Sequence, residues 1–279
     1  MTVIRATTRL AAVIGAPIRH SLSPAIFNAA FTAAGLDWAY LAFEVQPGAT
    51  ARALDAMRAL DIGGLSVTMP HKDAVAGLVD QCTPEAAALR AVNCVVPTGD
   101  GLLGENTDGP GFLDALAADA GFDADGRRVV VFGAGGAARA IVLALAGAGA
   151  ADIAVVNRTA EKGSVAVALA GPVGREASVD AIEGADLVVN ATSVGMNDGR
   201  MPFDPALLAP GQVVADIVYH PSPTPLVTAA RERGVVALDG VGMLVHQAAH
   251  AFRLWTGQDA PLAAMAAAAK AGLSSRNMS

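Results

Sequence analysis

The stretch VVVFGAGGAARA, residues 129–140, constrains the fold of this chain more than any other part of the sequence. Its apolar beginning predicts a buried strand, and its second half predicts a helix. Gly133 and Gly135 allow a tight turn between the two, and Ala138 is small enough to let the helix pack closely on the strand. A strand, a tight turn and a helix in this order form the repeating unit of α/β folds with a parallel sheet.

Short apolar runs alternate with helix-length segments along the rest of the chain, which predicts the α/β class throughout. Ser23 is expected to be the N-cap of a helix with Pro24 at its first position and Gly35 at its end. The Gly-Asp-Gly sequence at 99–101 predicts a hairpin. Strands are predicted at 9–15, 38–45, 63–69, 128–135, 151–159, 185–192, 212–219 and 235–240, and helices at 23–35, 48–61, about 110–119, 136–149, 160–171, 224–234, 241–257 and 260–272.

The pattern becomes more regular at Asp108, and this change predicts two α/β domains separated by a cleft. After Asp108 the predicted strands are apolar almost throughout, as strands covered by helices on both faces must be. Residues 108–240 are therefore expected to form a Rossmann-like domain. Residues 1–107, completed by residues 241–279, are expected to form the other domain. Two crossings of the chain between domains favour a cleft that closes on a ligand.

Composition excludes several classes of protein. Hydrophobic residues make up 53% and charged residues 16% of the 279 residues, so sizeable cores are expected rather than disorder. The net charge of −7 argues against a nucleic-acid partner and against an anionic membrane surface. The apolar stretch 129–156 carries Arg139, Asp152 and a glycine cluster, so a buried strand–helix–strand unit explains it better than a membrane span. No signal peptide is evident, and a cytoplasmic location is expected.

The cysteines and histidines form no pattern typical of a metal site or a disulfide. Cys82 and Cys94 have neither spacing, and they are expected to be reduced thiols. His246 and His250 stand four residues apart but lack the glutamate of a zinc-binding H-E-x-x-H motif. No metal is therefore expected.

The glycine-rich turn predicts a dinucleotide site. Its second glycine lets a pyrophosphate approach the backbone, and the helix that follows offers free N–H groups and a partial positive charge. The next strand ends in Asn157 and Arg158, followed by Thr159 and Lys162, where an NAD-binding chain carries an acidic residue for the ribose 2′-hydroxyl. A guanidinium with hydroxyl donors suits a 2′-phosphate, which favours NADP. The alternative is a helix N-cap at Thr159 beside a solvated arginine.

Polar clusters follow apolar runs in the first third of the chain, at residues 21–23, 66–72, 91–93 and 106–109. Polar groups beyond the carboxyl ends of strands are the expected lining of a ligand crevice in an α/β sheet. The clusters contain Lys72, Asp108, and several hydroxyls and amides, without a Ser-His-Asp or Cys-His signature. This set suits a polyhydroxylated ligand and one proton transfer.

The chain resembles the shikimate dehydrogenase family (the shikimate/quinate dehydrogenases) over nearly its whole length. Nine motifs stand in the family's order. They are VIGAPIRHSLSP (13–24), SVTMPHK (66–72), AVNCVV (91–96), GENTDGPGF (104–112), FGAGGAARA (132–140), NRT (157–159), NATSVGM (190–196), DIVYHPSPTPL (216–226) and DGVGMLVHQAAHAF (239–252).

The resemblance implies a reversible hydride transfer between NADP and C3 of shikimate, which gives 3-dehydroshikimate, in aromatic amino acid (chorismate) biosynthesis. It implies that Lys72 and Asp108 form the catalytic pair. Shikimate would be bound by Ser21 and Ser23 at its carboxylate, by Thr68, Asn93 and Gln247 at its ring hydroxyls, and by Tyr219. NADP would be bound by Gly133, Ala134, Gly135, Gly136 and Ala137 at its pyrophosphate, by Asn157, Arg158, Thr159 and Lys162 at its adenosine phosphate, and by Ile217 and Gly240 at its nicotinamide.

Ser66 departs from the family, which usually has asparagine two residues before the threonine of this strand. Serine offers one donor and a shorter reach, so the departure affects the hydrogen bonding beside Thr68 and keeps open a quinate/shikimate dehydrogenase with broader substrate or cofactor use. A non-catalytic NADP-responsive binding protein is a further alternative, against which Lys72 and Asp108 argue. The partner is expected to be the small-molecule substrate, with the chain acting as a monomer or homodimer.

The sequence also allows structural roles, without catalysis or binding, for the individual site residues. A lysine at a strand end can be an ordinary solvated cation, and Asp108 or Ser23 can cap a helix. Asn93 can be a turn residue, Gln247 can be exposed on its helix, and Tyr219 can serve in packing.

Overall fold

A computed structural model describes residues 4–196 and 198–276, and it divides the chain into two compact units. The first unit combines the residues before 108 with those after 246, and the second comprises residues 108–246. Both contain a six-stranded sheet with helices, so the α/β class and the Rossmann-like topology predicted from the sequence are confirmed.

The first unit contains a mixed sheet. Its strands are β1 (Arg9–Gly15), β2 (Trp38–Glu44), β3 (Gly64–Val67), β4 (Gln81–Cys82), β5 (Cys94–Thr98) and β6 (Gly101–Glu105), in the order β2-β1-β3-β5-β6-β4. β1 pairs with β2 and β3 in parallel, whereas β5 pairs with β3 and β6 in antiparallel fashion. The hairpin of β5 and β6 turns through Gly99 and Asp100, as the Gly-Asp-Gly sequence predicts.

Helices of the first unit pack on this sheet and bury an aromatic cluster. The helices are α1 (Ser23–Ala33), α2 (Thr50–Ala59), α3 (Lys72–Ala76), α4 (Pro84–Leu89) and α10 (Leu262–Arg276). Phe27 stacks on Tyr40 with ring centroids 4.4 Å apart, and Trp255 lies 5.0 Å from Phe27. The Trp255 indole donates to the Val95 carbonyl at 3.1 Å, and Gly64 leaves the space that the indole fills.

The second unit has a fully parallel sheet. Its strands are β7 (Arg128–Phe132), β8 (Asp152–Val156), β9 (Gly174–Glu176), β10 (Leu187–Asn190), β11 (Val213–Asp216) and β12 (Val236–Leu238), in the order β9-β8-β7-β10-β11-β12. This is the doubly wound order, in which the order of the strands along the sheet reverses between β7 and β10. Loops after these two strands are where such sheets bind ligands.

Helices cover both faces of the parallel sheet. They are α5 (Asp108–Ala120), α6 (Gly136–Gly147), α7 (Ala160–Leu169) and α8 (Pro225–Glu232), with α9 (Val241–Thr256) beginning in this unit. Separate apolar clusters lie on the two faces, one around Val129 and Ile141 and the other around Val130 and Leu226. Burial on both faces explains why the strands are apolar almost throughout. None of the helices described is long and apolar enough to cross a membrane.

The structure differs from the sequence-based prediction at several element boundaries. Ser23 is the first residue of α1, not its N-cap, and the N-cap position is taken by Leu22 without a side-chain hydrogen bond. Pro24 therefore follows the first helical residue. The short strands β4 and β9 were not predicted, nor were the 3₁₀ turns at Gly171–Val173, Val179–Gly184 and Pro205–Leu207.

Candidate active site

The turn after β7 has the geometry that its glycines predict. Gly133 has a φ of +111°, and a Cβ there would lie 2.7 Å from the carbonyl oxygen of Ala191, so only glycine fits. Its N–H donates to the Val156 carbonyl at 2.9 Å, which joins the turn to the end of β8. Ala138 is fully buried between helix and sheet.

The amino end of α6 fits a pyrophosphate. Gly135 is its N-cap and provides no side-chain hydrogen bond to the first N–H groups of the helix. A Cβ on Gly135 or Gly136 would meet no protein atom within 4 Å. Ala134 and Ala137 complete this turn and are buried and half-buried, respectively. Uncapped N–H groups beside open space are a ready anion site.

The end of β8 presents the predicted donors for a 2′-phosphate. Arg158 and Lys162 are exposed, and Asn157 is half-buried, with its Nδ2 donating to the Thr159 carbonyl at 2.7 Å. Thr159 is the N-cap of α7 in position only, because its side chain makes no capping hydrogen bond. The capping alternative thus leaves the Thr159 hydroxyl unexplained, and the donor set fits a phosphorylated ribose.

A buried network of polar side chains lies at the carboxyl ends of β10 and β11. Asp216 accepts from Asn190 Nδ2 at 2.8 Å, from Thr224 Oγ1 at 2.7 Å and from the Val218 N–H at 3.1 Å. Asn190 Oδ1 accepts in turn from the hydroxyl of Thr192 at 2.7 Å. Burial, reinforced by the charge of Asp239, raises the pKa of the Asp216 carboxyl above its ordinary value, although all three hydrogen bonds oppose this shift.

This network was not predicted from the sequence, and it lies next to predicted cofactor residues. Ile217 follows Asp216 and is half-buried, and its N–H donates to the Asn190 carbonyl at 3.0 Å. Gly240 is buried, and a Cβ there would collide with the Ile217 carbonyl, so Gly240 is required where the chain enters α9. Ile217 and Gly240 line one pocket of the second unit, together with Phe112, Leu116 and Met243.

The remaining predicted residues of the second unit are Asp108 and Tyr219. Asp108 is the first residue of α5 and is buried, with 7% of its surface exposed. Tyr219 is half-buried in the segment after β11.

In the first unit, backbone hydrogen bonds bring Thr68, Lys72 and Asn93 together. Lys72 begins α3 and is half-buried, and its carbonyl accepts from the Val92 N–H at 3.0 Å. The carbonyl of Asn93, the residue after Val92, accepts from the Val67 N–H at 2.7 Å. Lys72 thus lies beside the strand end that carries Thr68 and the segment that carries Asn93.

Ser21 precedes α1 and Ser23 begins it, and Ser23 lies near a buried tyrosine. Ser21 Oγ accepts from the Ser23 N–H at 3.2 Å, and both serines are half-buried. The Tyr40 hydroxyl donates to Ser66 Oγ at 2.7 Å. Burial raises the pKa of the Tyr40 phenol, while hydrogen bonds with Ser66 and Ser23 oppose the rise, so the phenol is neutral and serves as a donor.

The remaining predictions concern Gln247, the two cysteines and a metal site. Gln247 is half-buried on α9. Cys94 is almost fully buried, and its burial raises the pKa of the thiol, so it is an inert core residue. Cys82 is half-buried, and both cysteines are free thiols. Within residues 4–196 and 198–276, no group of acidic, histidine or cysteine side chains is arranged to hold a metal ion.

The doubly wound sheet, the required glycine at the turn after β7 and the uncapped amino end of α6 define a dinucleotide-binding protein of the Rossmann class. Comparison with known proteins is more specific. The chain matches the shikimate dehydrogenase substrate binding domain over residues 13–95, shikimate/quinate 5-dehydrogenase over residues 115–196, and the shikimate 5′-dehydrogenase C-terminal domain over residues 240–270. The chain belongs to the shikimate dehydrogenase family.

Relatives match along nearly the full chain. Shikimate dehydrogenase (NADP⁺) of Moorella thermoacetica is 46% identical over 95% of this chain and 94% of its own. A crystal structure of a shikimate dehydrogenase with NADP⁺ superposes with a TM-score of 0.93 at 33% identity, covering 98% of both chains. The Thermus thermophilus enzyme with NADP(H) and shikimate has a TM-score of 0.89 at 36% identity, covering 95% of this chain and 100% of its own.

Proposed function

We propose that this chain catalyses the NADP-dependent, reversible reduction of 3-dehydroshikimate to shikimate, with Lys72 and Asp108 as its acid–base pair. The observation that carries the proposal is the fixed position of Lys72. Its carbonyl accepts from the Val92 N–H, which holds the backbone of Lys72 beside the segment that carries Asn93, whose amide suits a polyol. The relatives that match nearly the whole length of this chain are NADP-dependent shikimate dehydrogenases.

The residues of the second unit bind and orient the cofactor. The N–H groups at the start of α6 hold the pyrophosphate, and Gly135 gives it room. Arg158, Lys162 and the Thr159 hydroxyl bind the 2′-phosphate, and Ile217 with Gly240 lines the nicotinamide end. Bound NADP supplies or accepts the hydride. We assign residues 108–240 to this role, and residues 1–107 with 241–279 to substrate binding.

Lys72 moves the proton that accompanies the hydride. In the reducing direction its ammonium donates a proton to the oxygen at C3, and in the oxidising direction the neutral amine takes that proton from the hydroxyl. Asp108 orients the lysine and balances its charge. One such acid–base group typically contributes ~10²–10⁴ in rate.

The polar groups of the first unit orient the ring. Ser21 and Ser23 donate to the carboxylate, while Thr68, Asn93 and Gln247 hold the hydroxyls. We assign Tyr219 to the substrate as well. Each hydroxyl or amide left unpaired by a wrong ligand would cost affinity, which is how a site of this kind discriminates.

A broader quinate/shikimate dehydrogenase is the second candidate, because of one observation. Ser66 stands where the family usually has asparagine, and its Oγ already accepts from the Tyr40 hydroxyl at 2.7 Å. Serine offers one donor and a shorter reach than asparagine, so the hydrogen bonding available beside Thr68 differs from that of the family. Ser66→Asn is the matched variant, since it restores the residue that the family usually has.

Initial rates with shikimate and quinate, each with NADP and with NAD, test these assignments. The proposal predicts the highest kcat/KM for shikimate with NADP. Comparable kcat/KM for quinate in the native chain, lost in Ser66→Asn, would establish the broader activity instead. Absence of any change at the nicotinamide absorbance band with either acid would mean a non-catalytic NADP-binding protein. We further propose that the chain works in the cytoplasm as a monomer or homodimer, without nucleic acid.

A further inference from the structure

A buried histidine directly precedes Lys72. His71 has 1% of its surface exposed, and both of its ring nitrogens are hydrogen-bonded. Nε2 lies 2.7 Å from the Val45 carbonyl oxygen, and Nδ1 lies 2.9 Å from Thr50 Oγ1. A carbonyl only accepts, so Nε2 carries a hydrogen, and in the neutral ring Nδ1 accepts from the Thr50 hydroxyl. The ring therefore has one orientation in which both nitrogens are satisfied.

These partners belong to segments that are themselves fixed. Val45 follows β2, and its N–H donates to the carbonyl of Gly15 at the end of β1, at 3.1 Å. Thr50 is the first residue of α2 and is buried. The imidazole thus links the start of α3 to the residue after β2 and to the first residue of α2. Neither partner lies in the segment that carries Lys72.

The segment that carries Lys72 depends on tertiary contacts for its stability. α3 has only five residues, and a helix of this length is not stable without tertiary contacts. His71 is its N-cap in position, but its side chain makes no capping hydrogen bond. The ring is engaged with Val45 and Thr50 instead, while the adjacent Lys72 is half-buried.

We propose that His71 is a positioning residue for Lys72, acting through its hydrogen bonds to Val45 and Thr50 and not by touching substrate. The inference rests on the proposed function, in which Lys72 transfers the proton. Displacement of a reacting group by about 1 Å can cost ~10²-fold in rate. The loss of either hydrogen bond should therefore appear in turnover more than in binding.

The test measures kcat, KM and the pH profile of shikimate oxidation for His71→Phe, Thr50→Val and Thr50→Ser. His71→Phe keeps a ring but loses both hydrogen bonds, and we expect kcat to fall by roughly 10- to 100-fold, with a smaller change in KM. Thr50→Val, which leaves the imidazole in place, should lose less. Thr50→Ser retains the hydroxyl and should stay near the native rate. Should His71→Phe fail to fold, the two Thr50 variants decide the question.

Gln212→Met is the matched control for lost stability. Gln212 is also buried, with its Nε2 donating to the carbonyls of Ile182 and Ala185, and neither partner adjoins Lys72. This variant should lose thermal stability while keeping kcat and the pH profile. Equal effects of Gln212→Met and Thr50→Val on kcat would overturn the inference, since both would then reflect stability alone.

A double variant separates the inference from the function on which it rests. In a Lys72→Ala background, His71→Phe should reduce kcat little further, because the group it positions is gone. If Lys72→Ala is impaired and His71→Phe adds its full loss, His71 does not act through Lys72 and only the inference fails. If Lys72→Ala itself keeps native turnover, the acid–base assignment fails, and the role of His71 fails with it.

Discussion

The carboxamide of Asn93 is held by Thr107, fourteen residues further along the chain. Asn93 Nδ2 donates to Thr107 Oγ1 at 3.0 Å, and the Thr107 N–H donates to Asn93 Oδ1 at 2.8 Å. Both residues are buried, and Asp108 follows Thr107 directly in the chain. Asn93 is therefore oriented by the protein before any ligand binds, and it is not an ordinary turn residue.

Thr107→Val tests whether this orientation matters for substrate binding. The variant keeps the volume and the backbone N–H but removes the hydroxyl that fixes the Asn93 amide. We expect KM for shikimate to rise by about 2- to 10-fold, the scale of one net hydrogen bond, with a smaller change in kcat. Thr107→Ser should stay near the native value. Identical KM in all three proteins would show that Asn93 needs no such support.

Arg158→Ala tests the 2′-phosphate assignment. NADP binding should weaken by about 1.5–3 kcal/mol, the scale of a hydrogen bond to a charged group, with little effect on NAD. Arg175→Ala is the control, because Arg175 is an arginine of the same unit that is paired with Asp152. Equal losses for the two cofactors would rule out contact between Arg158 and the 2′-phosphate.

Replacing Ser21 and Ser23 together by alanine tests the carboxylate assignment. We expect KM for shikimate to rise by ~10-fold or more, and more than kcat falls, because each hydroxyl would bond a charged group. Thr83→Ala is the control, since the Thr83 hydroxyl does cap α4 by accepting from the Ala86 N–H. It should lower stability by about 0.5–2 kcal/mol with KM unchanged. Unchanged KM in the double variant, with a lower Tm, would show that the serines stabilise α1 and do not bind the carboxylate.

Asp216→Asn tests the buried network through the pH dependence of stability. Because the pKa of Asp216 is raised in the folded state, that state binds the proton more tightly than the unfolded chain does. The favourable contribution of the Asp216 carboxyl to the free energy of unfolding is complete below its unfolded pKa of about 3.9. It declines as pH rises through the folded pKa. The stability advantage of the native chain over Asp216→Asn should therefore shrink between about pH 4 and neutrality in denaturant titrations. An advantage that grows over this range would mean that the folded pKa is lowered.

Features encoded in contiguous residues were predictable from the sequence. The turn at Gly133 and the hairpin at Gly99–Asp100 follow from local backbone requirements, and the apolar strands of the second unit follow from burial on both faces. The Rossmann-like class of the second unit was therefore predictable. The start of α1 was misplaced by one residue because serine before proline is a common capping pattern, whereas here Ser21 approaches the Ser23 N–H.

Features that depend on strand order were not predictable. Asn190 and Asp216 are 26 residues apart and meet because β10 and β11 are neighbours in the sheet. The same holds for His71, whose partners Val45 and Thr50 stand more than twenty residues earlier. Composition and periodicity contain no signal for such pairs, although buried polar residues at strand ends indicate where to look.

The most direct test of the account is the pH profile of turnover for the native chain and for Lys72→Ala, with shikimate binding measured separately. The account predicts that Lys72→Ala folds, binds shikimate and NADP, and loses ~10²–10⁴ in kcat, the span of one acid–base group. Native shikimate oxidation should rise with pH as the base is freed, and this ionisation should be absent from the variant. Near-native turnover with an unchanged pH profile in Lys72→Ala would contradict the account and move the proton transfer to Asp108 or a bound water.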